Sequence, residues 1–247
     1  MRIYGLIGYP LSHSFSKKFF AEKFFKEDVT DCVYENFAIP SIEEFESLVH
    51  TAFLKGLNVT IPYKQRVIPY LHEVNEVVKK TGACNCIKIE NGKLFGFNTD
   101  TIGFEQSLKK FLKPYHTRAL ILGTGGAAKA IMYVLEKLEI KYITVTRKNN
   151  GLVYPLMSYS ELTDELIRSH TLIINTTPLG MYPDINVAPP INYEMITPSH
   201  YLFDVVYNPE KTLFLKQGED KGASIQNGFD MLIIQAEESW KIWNNEV

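Results

Sequence analysis

The segment Ala119-Leu-Ile-Leu122-Gly123-Thr124-Gly125-Gly126-Ala127-Ala128 constrains this chain most. A short apolar run of this kind reads as a buried strand, and here it passes without a spacer into glycines and small residues. The apolar spacing that follows, to about Leu138, is that of a helix. In the pattern G-x-G-x-x-G/A the first glycine makes a tight turn and the second lets backbone approach a pyrophosphate. The small third residue lets the helix pack on its strand. A further strand, Tyr142–Thr146, completes a β-α-β unit. The pyrophosphate would then rest on the amides and positive dipole of the helix's first turn. Gly123, Thr124, Gly125, Gly126 and Ala127 are the candidate residues at that turn.

The end of the second strand discriminates between nucleotides. A site for NAD places an acid about twenty residues after the glycines, where it accepts from the ribose 2′-hydroxyl. The sequence there is Thr144-Val-Thr146-Arg147-Lys148-Asn149, with no acid. Arg147 and Lys148 would instead neutralise a 2′-phosphate, which favours NADP over the plainer reading of two solvated cations.

Strand-like and helix-like segments alternate along nearly the whole chain, the pattern of an α/β protein with parallel strands. Strands are expected at Ile3–Ile7, Val33–Phe37, Leu57–Thr60, Leu172–Asn175 and Leu202–Val206. Ala83–Ile89 and Leu94–Phe97 form a hairpin around Asn91-Gly92. Helices are expected from Ser16 to Lys26, after Ser41 (with Ser41 and Glu44 as a capping box), from Thr101 to about Leu112, and from Phe229 onward. A cut near residue 100 gives two domains, and the cleft between two such domains is the default place for an active site.

Composition narrows the function. With 45% hydrophobic and 22% charged residues the chain has the balance of a soluble globular protein. The net charge of −2 includes no basic block, which argues against nucleic acid and anionic membrane as partners. The first apolar run is brief and ends at Pro10, unlike a signal peptide. No stretch is long and apolar enough to span a bilayer. Three cysteines do not make a disulfide framework, so a reducing cytoplasm is the expected location. Cys84 and Cys86 have no further Cys or His nearby in sequence to complete a metal set, and no metal is expected.

Two polar segments carry the candidate chemistry. Asn58-Val-Thr60-Ile-Pro62-Tyr-Lys64 and Asn98-Thr99-Asp100 each set a charged residue among Asn and Thr. Together with a nicotinamide site, a lysine that gives a proton and an aspartate that grips a hydroxyl make a dehydrogenase acting on a carbon–oxygen bond.

These segments, with others, resemble the shikimate dehydrogenase family in order and over essentially the whole length. Gly8-Tyr-Pro10-Leu-Ser-His13-Ser14-Phe-Ser16 is similar to the family's serine pair for the substrate carboxylate. The segment ending at Lys64 and that ending at Asp100 are similar to those carrying the catalytic lysine and aspartate. Gly82-Ala83-Cys84-Asn85 resembles the segment whose asparagine holds ring hydroxyls. Asn175-Thr176-Thr177-Pro-Leu-Gly180-Met181 is similar to the loop beside the cofactor. Asp204-Val205-Val-Tyr207-Asn208-Pro209 resembles the segment of a substrate-binding tyrosine, and Asn227-Gly228-Phe-Asp230-Met231 with Gln235 the closing helix that meets both ligands.

The resemblance implies NADPH-dependent, reversible reduction of 3-dehydroshikimate to shikimate, on the route to chorismate and the aromatic amino acids. Lys64 and Asp100 are then catalytic, and Ser14, Ser16, Asn58, Thr60, Asn85, Tyr207 and Gln235 join them in binding substrate. Thr146, Arg147, Lys148, Thr176, Val205, Gly228 and Met231 join the glycine turn in binding NADP. It also implies a substrate domain of residues 1–100 with a closing helix of about 228–247, a Rossmann-like domain of residues 101–227, and a monomer or homodimer. Departures are Lys17 where a proline is usual, Cys86 for threonine, Lys148 in the cofactor segment, and Asp230 for glycine near the expected nicotinamide. A quinate/shikimate dehydrogenase and a non-catalytic ligand sensor are the rival readings.

Overall fold

A computed structural model describes residues 1–11, 14–147 and 156–246. The chain divides into two compact units, Met1–Thr99 with Gln235–Val247, and Asp100–Ile234. Among the described residues no helix is long and apolar enough to cross a membrane.

The first unit is built on a six-stranded sheet. Its strands are β1 (Arg2–Gly8), β2 (Cys32–Ala38), β3 (Leu54–Val59), β4 (Glu73–Val74), β5 (Cys86–Glu90) and β6 (Lys93–Phe97), in the order β2-β1-β3-β5-β6-β4. β1 runs parallel to both neighbours, and its last five residues are all buried, as a central strand covered on both faces requires. The sheet is mixed: β5 lies antiparallel to β3 and, in the expected hairpin, to β6. The cause is local. Asn91 (φ 51°) and Gly92 (φ 75°) both take the left-handed conformation of a two-residue hairpin turn, so β6 must fold back on β5.

Helix α1 (Phe15–Lys26) supplies Phe20 and Phe24 to one face of this sheet. There they meet Tyr4, Tyr34, Trp240 and Trp243, with Phe20 stacked on Tyr34 at 4.4 Å between ring centres. Phe25, one residue beyond, is exposed, so the phenylalanine cluster is only partly core. The helix expected after Ser41 is a 3₁₀ turn, Ile42–Glu44, followed by the short α2 (Phe45–Leu48). The capping box does not form, because the Ser41 hydroxyl turns to the Glu43 carboxylate. Helix α3 (Glu76–Thr81) is capped at both ends: Asn75 Oδ1 accepts from the Val78 amide at 3.0 Å, and Gly82 ends the helix at φ 60°.

The second unit contains α4 (Asp100–Leu108), β7 (Arg118–Leu122), α5 (Gly126–Lys137), β8 (Lys141–Thr146), β9 (Leu156–Ser158), α6 (Asp164–Ser169), β10 (Leu172–Asn175), β11 (Tyr201–Asp204), α7 (Leu213–Asp220) and β12 (Ser224–Gln226). The strand order is β12-β11-β10-β7-β8-β9, every pair parallel. That is the doubly wound order, with the reversal of direction between β7 and β10. Alternate residues of these strands fill two apolar clusters, Ile121 and Ile174 on one face, Leu120, Leu122 and Ile173 on the other. β11 stops at Asp204 rather than Val206, since the Asp204 carboxylate captures the Val206 amide. Helix α8 (Phe229–Trp243) begins in this unit and ends in the first.

Candidate active site

In the first unit, buried side chains brought from distant parts of the sequence form one polar network. Tyr34 on β2 donates its hydroxyl to Asn58 Oδ1 on β3 at 2.8 Å. Asn58 Nδ2 donates to Ser239 Oγ on α8 at 2.8 Å and to the Asn85 carbonyl at 3.3 Å. Asn85 takes the Thr99 amide on its Oδ1 at 2.7 Å, and its Nδ2 donates to Thr99 Oγ1 at 3.0 Å and to Gln235 Oε1 at 3.5 Å. Ser239 Oγ returns a bond to the Gln235 carbonyl, one helical turn back. Leaving any such buried group unpaired costs about 1–3 kcal/mol, so the network fixes the rotamers of Asn58, Asn85 and Gln235 together.

Of the serine pair, only Ser16 meets the same network. The Ser16 hydroxyl hydrogen-bonds Tyr34, whose phenol burial pushes well above its ordinary pKa. Ser14 stands at the N-cap of α1 without capping it, and its Oγ is buried with no hydrogen-bond partner among the described residues. A hydroxyl withdrawn from water and unused by the helix retains its hydrogen-bonding capacity.

Thr60 and Lys64 lie in the turn after β3. Thr60 donates its amide to the Ile7 carbonyl, and its methyl fills the space where a side chain on Gly8 would stand, 2.4 Å away. Tyr63 is fully buried and anchors the turn through its hydroxyl to the Ile39 carbonyl at 2.6 Å. The half-buried Lys64 accepts the Cys84 amide on its carbonyl at 2.7 Å, one residue before Asn85. Cys84 and Cys86 are buried in different apolar clusters. Lys17 pairs with Glu35 at 2.6 Å, both half exposed.

The second unit holds Asp100, buried as the first residue of α4, and Tyr207, half-buried after β11. The carboxyl ends of β7, β10 and β11 are the end of the sheet at which doubly wound folds bind ligands. Gly123 has φ 113°, and a side chain there would reach Thr176 Oγ1 at 2.6 Å, so glycine is required twice over. Thr176 donates both its amide (2.9 Å) and its hydroxyl (2.8 Å) to the Leu122 carbonyl. Gly125 caps α5 without any side-chain bond, and a Cβ added to it would meet nothing within 4 Å. The start of α5 is thus left uncrowded at Gly125, as a pyrophosphate resting on a helix N-terminus requires. Gly228 lies against Val205, whose carbonyl oxygen would stand 2.2 Å from an added Cβ. Met231, on the same helix, is buried in the sheet's apolar cluster.

Thr146 ends β8 half-buried, and Arg147 follows it exposed; Lys148 and His13 lie outside the described residues. Asp230 Oδ2 accepts from Lys110 Nζ at 2.7 Å and Gln226 Nε2 at 3.1 Å, so its charge has partners within this unit. Tyr34 and Ser239 were not anticipated from the sequence. Ser239 had a signal, lying four residues after Gln235 and therefore on the same helical face.

A family model described as the shikimate dehydrogenase substrate binding domain matches residues 6–87. A shikimate dehydrogenase (NADP(+)) of Methanosphaera stadtmanae is 36% identical over 99% of this chain and 92% of its own length. This chain belongs to the shikimate dehydrogenase family. The crystal structure of shikimate 5-dehydrogenase from Thermus thermophilus in complex with NADP(H) and shikimate superposes with a TM-score of 0.87 at 27% identity, over 99% of this chain and 94% of that one. A quinate dehydrogenase from Corynebacterium glutamicum in complex with NAD gives the same TM-score at 25% identity, over 99% and 94%. The family's fold thus accommodates either cofactor, and substrate and cofactor choice must be read from individual side chains.

Proposed function

We propose that this protein is a shikimate dehydrogenase that reversibly reduces 3-dehydroshikimate to shikimate with NADPH, on the route to chorismate and the aromatic amino acids. The observation that carries the reading is the full-length identity to an NADP(+)-dependent shikimate dehydrogenase, in a chain that has both Lys64 and Asp100.

On this reading Ser14 and Ser16 hold the substrate carboxylate, Asn85 holds ring hydroxyls, and Asn58, Thr60, Tyr207 and Gln235 bind the substrate with them. NADPH, when bound, supplies the hydride. Lys64 gives its proton to the substrate oxygen as negative charge develops there, and takes it back in the reverse direction. Asp100 grips the same hydroxyl and keeps the ammonium oriented. The first-turn amides of α5, with Gly123, Thr124, Gly125, Gly126 and Ala127, hold the pyrophosphate. Thr146, Arg147 and Lys148 take the 2′-phosphate side, and Thr176, Val205, Gly228 and Met231 the nicotinamide side. Of these residues the first unit carries Ser14, Ser16, Asn58, Thr60, Lys64, Asn85 and Gln235, and the second carries Asp100, Tyr207 and the cofactor residues. The protein works in the cytoplasm as a monomer or homodimer, a location supported by three buried cysteines that form no disulfide.

Broader use of quinate and NAD is the second reading. The absence of an acid after β8 and the presence of Arg147 speak against it. Turnover followed by NADPH absorbance, with shikimate and NADP set beside quinate and NAD, tests both. Activity on neither substrate overturns the dehydrogenase reading and leaves a ligand sensor.

A further inference from the structure

One carboxylate gathers three segments around the crevice. Asp204, fully buried at the end of β11, accepts on Oδ1 from Asn175 Nδ2 and from the Val206 amide, both at 3.0 Å. Its Oδ2 accepts from Thr212 Oγ1 at 2.6 Å, and Thr212 in turn caps α7 through the Leu215 amide. Asn175, oriented by that bond, uses its own Oδ1 to accept from the Thr177 amide at 3.0 Å and the Thr177 hydroxyl at 2.6 Å. Thr177 Oγ1 then accepts the Leu179 amide. The chain of bonds therefore runs from β11 through the end of β10 into the loop whose Thr176 touches the space beside Gly123.

A carboxylate is an expensive way to fill a core position. Burial pushes the Asp204 carboxyl up to about 7, although all three donors favour its charged form. Thr212 and the Val206 amide need an acceptor, yet a neutral one would satisfy them. What the position supplies is simultaneous reach to the loop after β10, which borders the glycine turn, and to the turn after β11. No residue of the substrate network in the first unit is among its hydrogen-bond partners.

We propose that Asp204 is a positioning residue for the cofactor crevice: through Asn175 and the Val206 amide it fixes the loop after β10 and the turn after β11 in the shape that accepts NADP. The inference rests on the assignment of that crevice to NADP. Asp204 does not touch the reacting atoms; it acts through Thr176 and Val205, the residues adjacent to those it holds.

The test is direct binding of NADP and, separately, of shikimate to the full chain by titration calorimetry. Asp204→Ala breaks the relay, and its NADP Kd rises by about tenfold or more, while shikimate, which meets this turn only through Tyr207 beside Val206, weakens several-fold less. Asp204→Asn stays near wild type, because its Oδ1 still accepts from Asn175 and Val206 and its Nδ2 donates to Thr212, whose hydroxyl reverses. Asn175→Ala leaves the Val206 and Thr212 bonds in place, reproduces the NADP loss, and carries the test if Asp204→Ala does not fold. Equal weakening of NADP and shikimate, or NADP binding unchanged in both alanine variants, overturns the proposal. Gly125→Val separates this from the underlying assignment, since its side chain enters space where no protein atom lies. If that variant loses NADP and the alanine variants do not, the relay alone falls. If it too binds NADP normally, the crevice assignment falls with the relay.

Discussion

The two units build their sites by opposite means. The first spends side chains: Tyr34, Asn58, Asn85, Thr99, Gln235 and Ser239 hold one another in a network of neutral amides and hydroxyls. The second withholds them: Gly123, Gly125 and Gly228 leave out atoms so that backbone can approach a ligand or another loop. A ring of hydroxyls must be matched in direction, which fixed side-chain donors and acceptors do well. A pyrophosphate asks for amides and a dipole, which any sequence has, provided nothing covers them. Truncation should therefore damage the first unit and addition the second.

The sharpest case of truncation is Lys64→Ala. Removing a proton donor costs roughly 10²–10⁴ in rate. Steady-state kinetics should show that loss in kcat, with a far smaller change in the KM for shikimate, as expected of an interaction made mainly in the transition state. Asp100→Asn should lower kcat as well, with a larger rise in KM because the same carboxylate grips the substrate hydroxyl. Near-normal kcat with raised KM in Lys64→Ala would reduce the lysine to a binding residue.

Arg147→Ala is the attempt to break the comparison, because it truncates a side chain in the unit that withholds them. A charge-assisted contact to the 2′-phosphate contributes about 1.5–3 kcal/mol, or roughly ten- to hundredfold in affinity. KM for NADP should rise by that factor while KM for NAD barely moves. Equal losses for the two cofactors would show that Arg147 does not read the phosphate.

The opposition also explains what could be read from the sequence. A glycine demanded by φ 113° at position 123, or by hairpin geometry at position 92, leaves its mark in the residue type itself, and both turns were legible. So were the longer strands and the α/β class. The polar network was only half legible, because its bonds join residues such as Asn58 and Ser239, 181 positions apart. Three strands of two or three residues, β4, β9 and β12, carry no periodicity to detect. The supposed capping box at Ser41 had the right residues, but the hydroxyl found the nearer Glu43 carboxylate.

Gly228→Ala is the case of addition. A Cβ at that position meets the Val205 carbonyl at 2.2 Å, and backbone cannot move aside as a flexible side chain would. Overpacking of this kind costs about 1–3 kcal/mol. A denaturant midpoint should fall accordingly, and KM for NADP should rise more than KM for shikimate as Val205 shifts. A variant with unchanged midpoint and kinetics would show that the start of α8 yields freely, against the account of this unit as a scaffold of close backbone contacts.

The smallest expected effect concerns Asp204, the fully buried carboxylate behind this crevice. The Asp204 carboxyl is raised from 3.8 to about 7 by burial, so between those values the folded state holds a proton that the unfolded state has lost. Its contribution to stability is complete below about 3.8 and is lost as pH rises towards 7, with a slope of at most about 1.4 kcal/mol per pH unit. His116 and His170 act in the other direction. Burial lowers both from 6.5, so the unfolded state takes up their protons first and stability falls as pH drops below 6.5. Between about pH 5 and 6.5 the wild-type effects oppose each other. Asp204→Asn removes the carboxylate side of that balance and leaves the histidines, so its stability should climb more steeply with pH across this window. The stability difference between variant and wild type should grow from pH 5 to 7 and then level off, as read from denaturant midpoints in matched buffers. Parallel curves for the two proteins would mean that Asp204 titrates alike in the folded and unfolded chain, and that its three donors balance its burial.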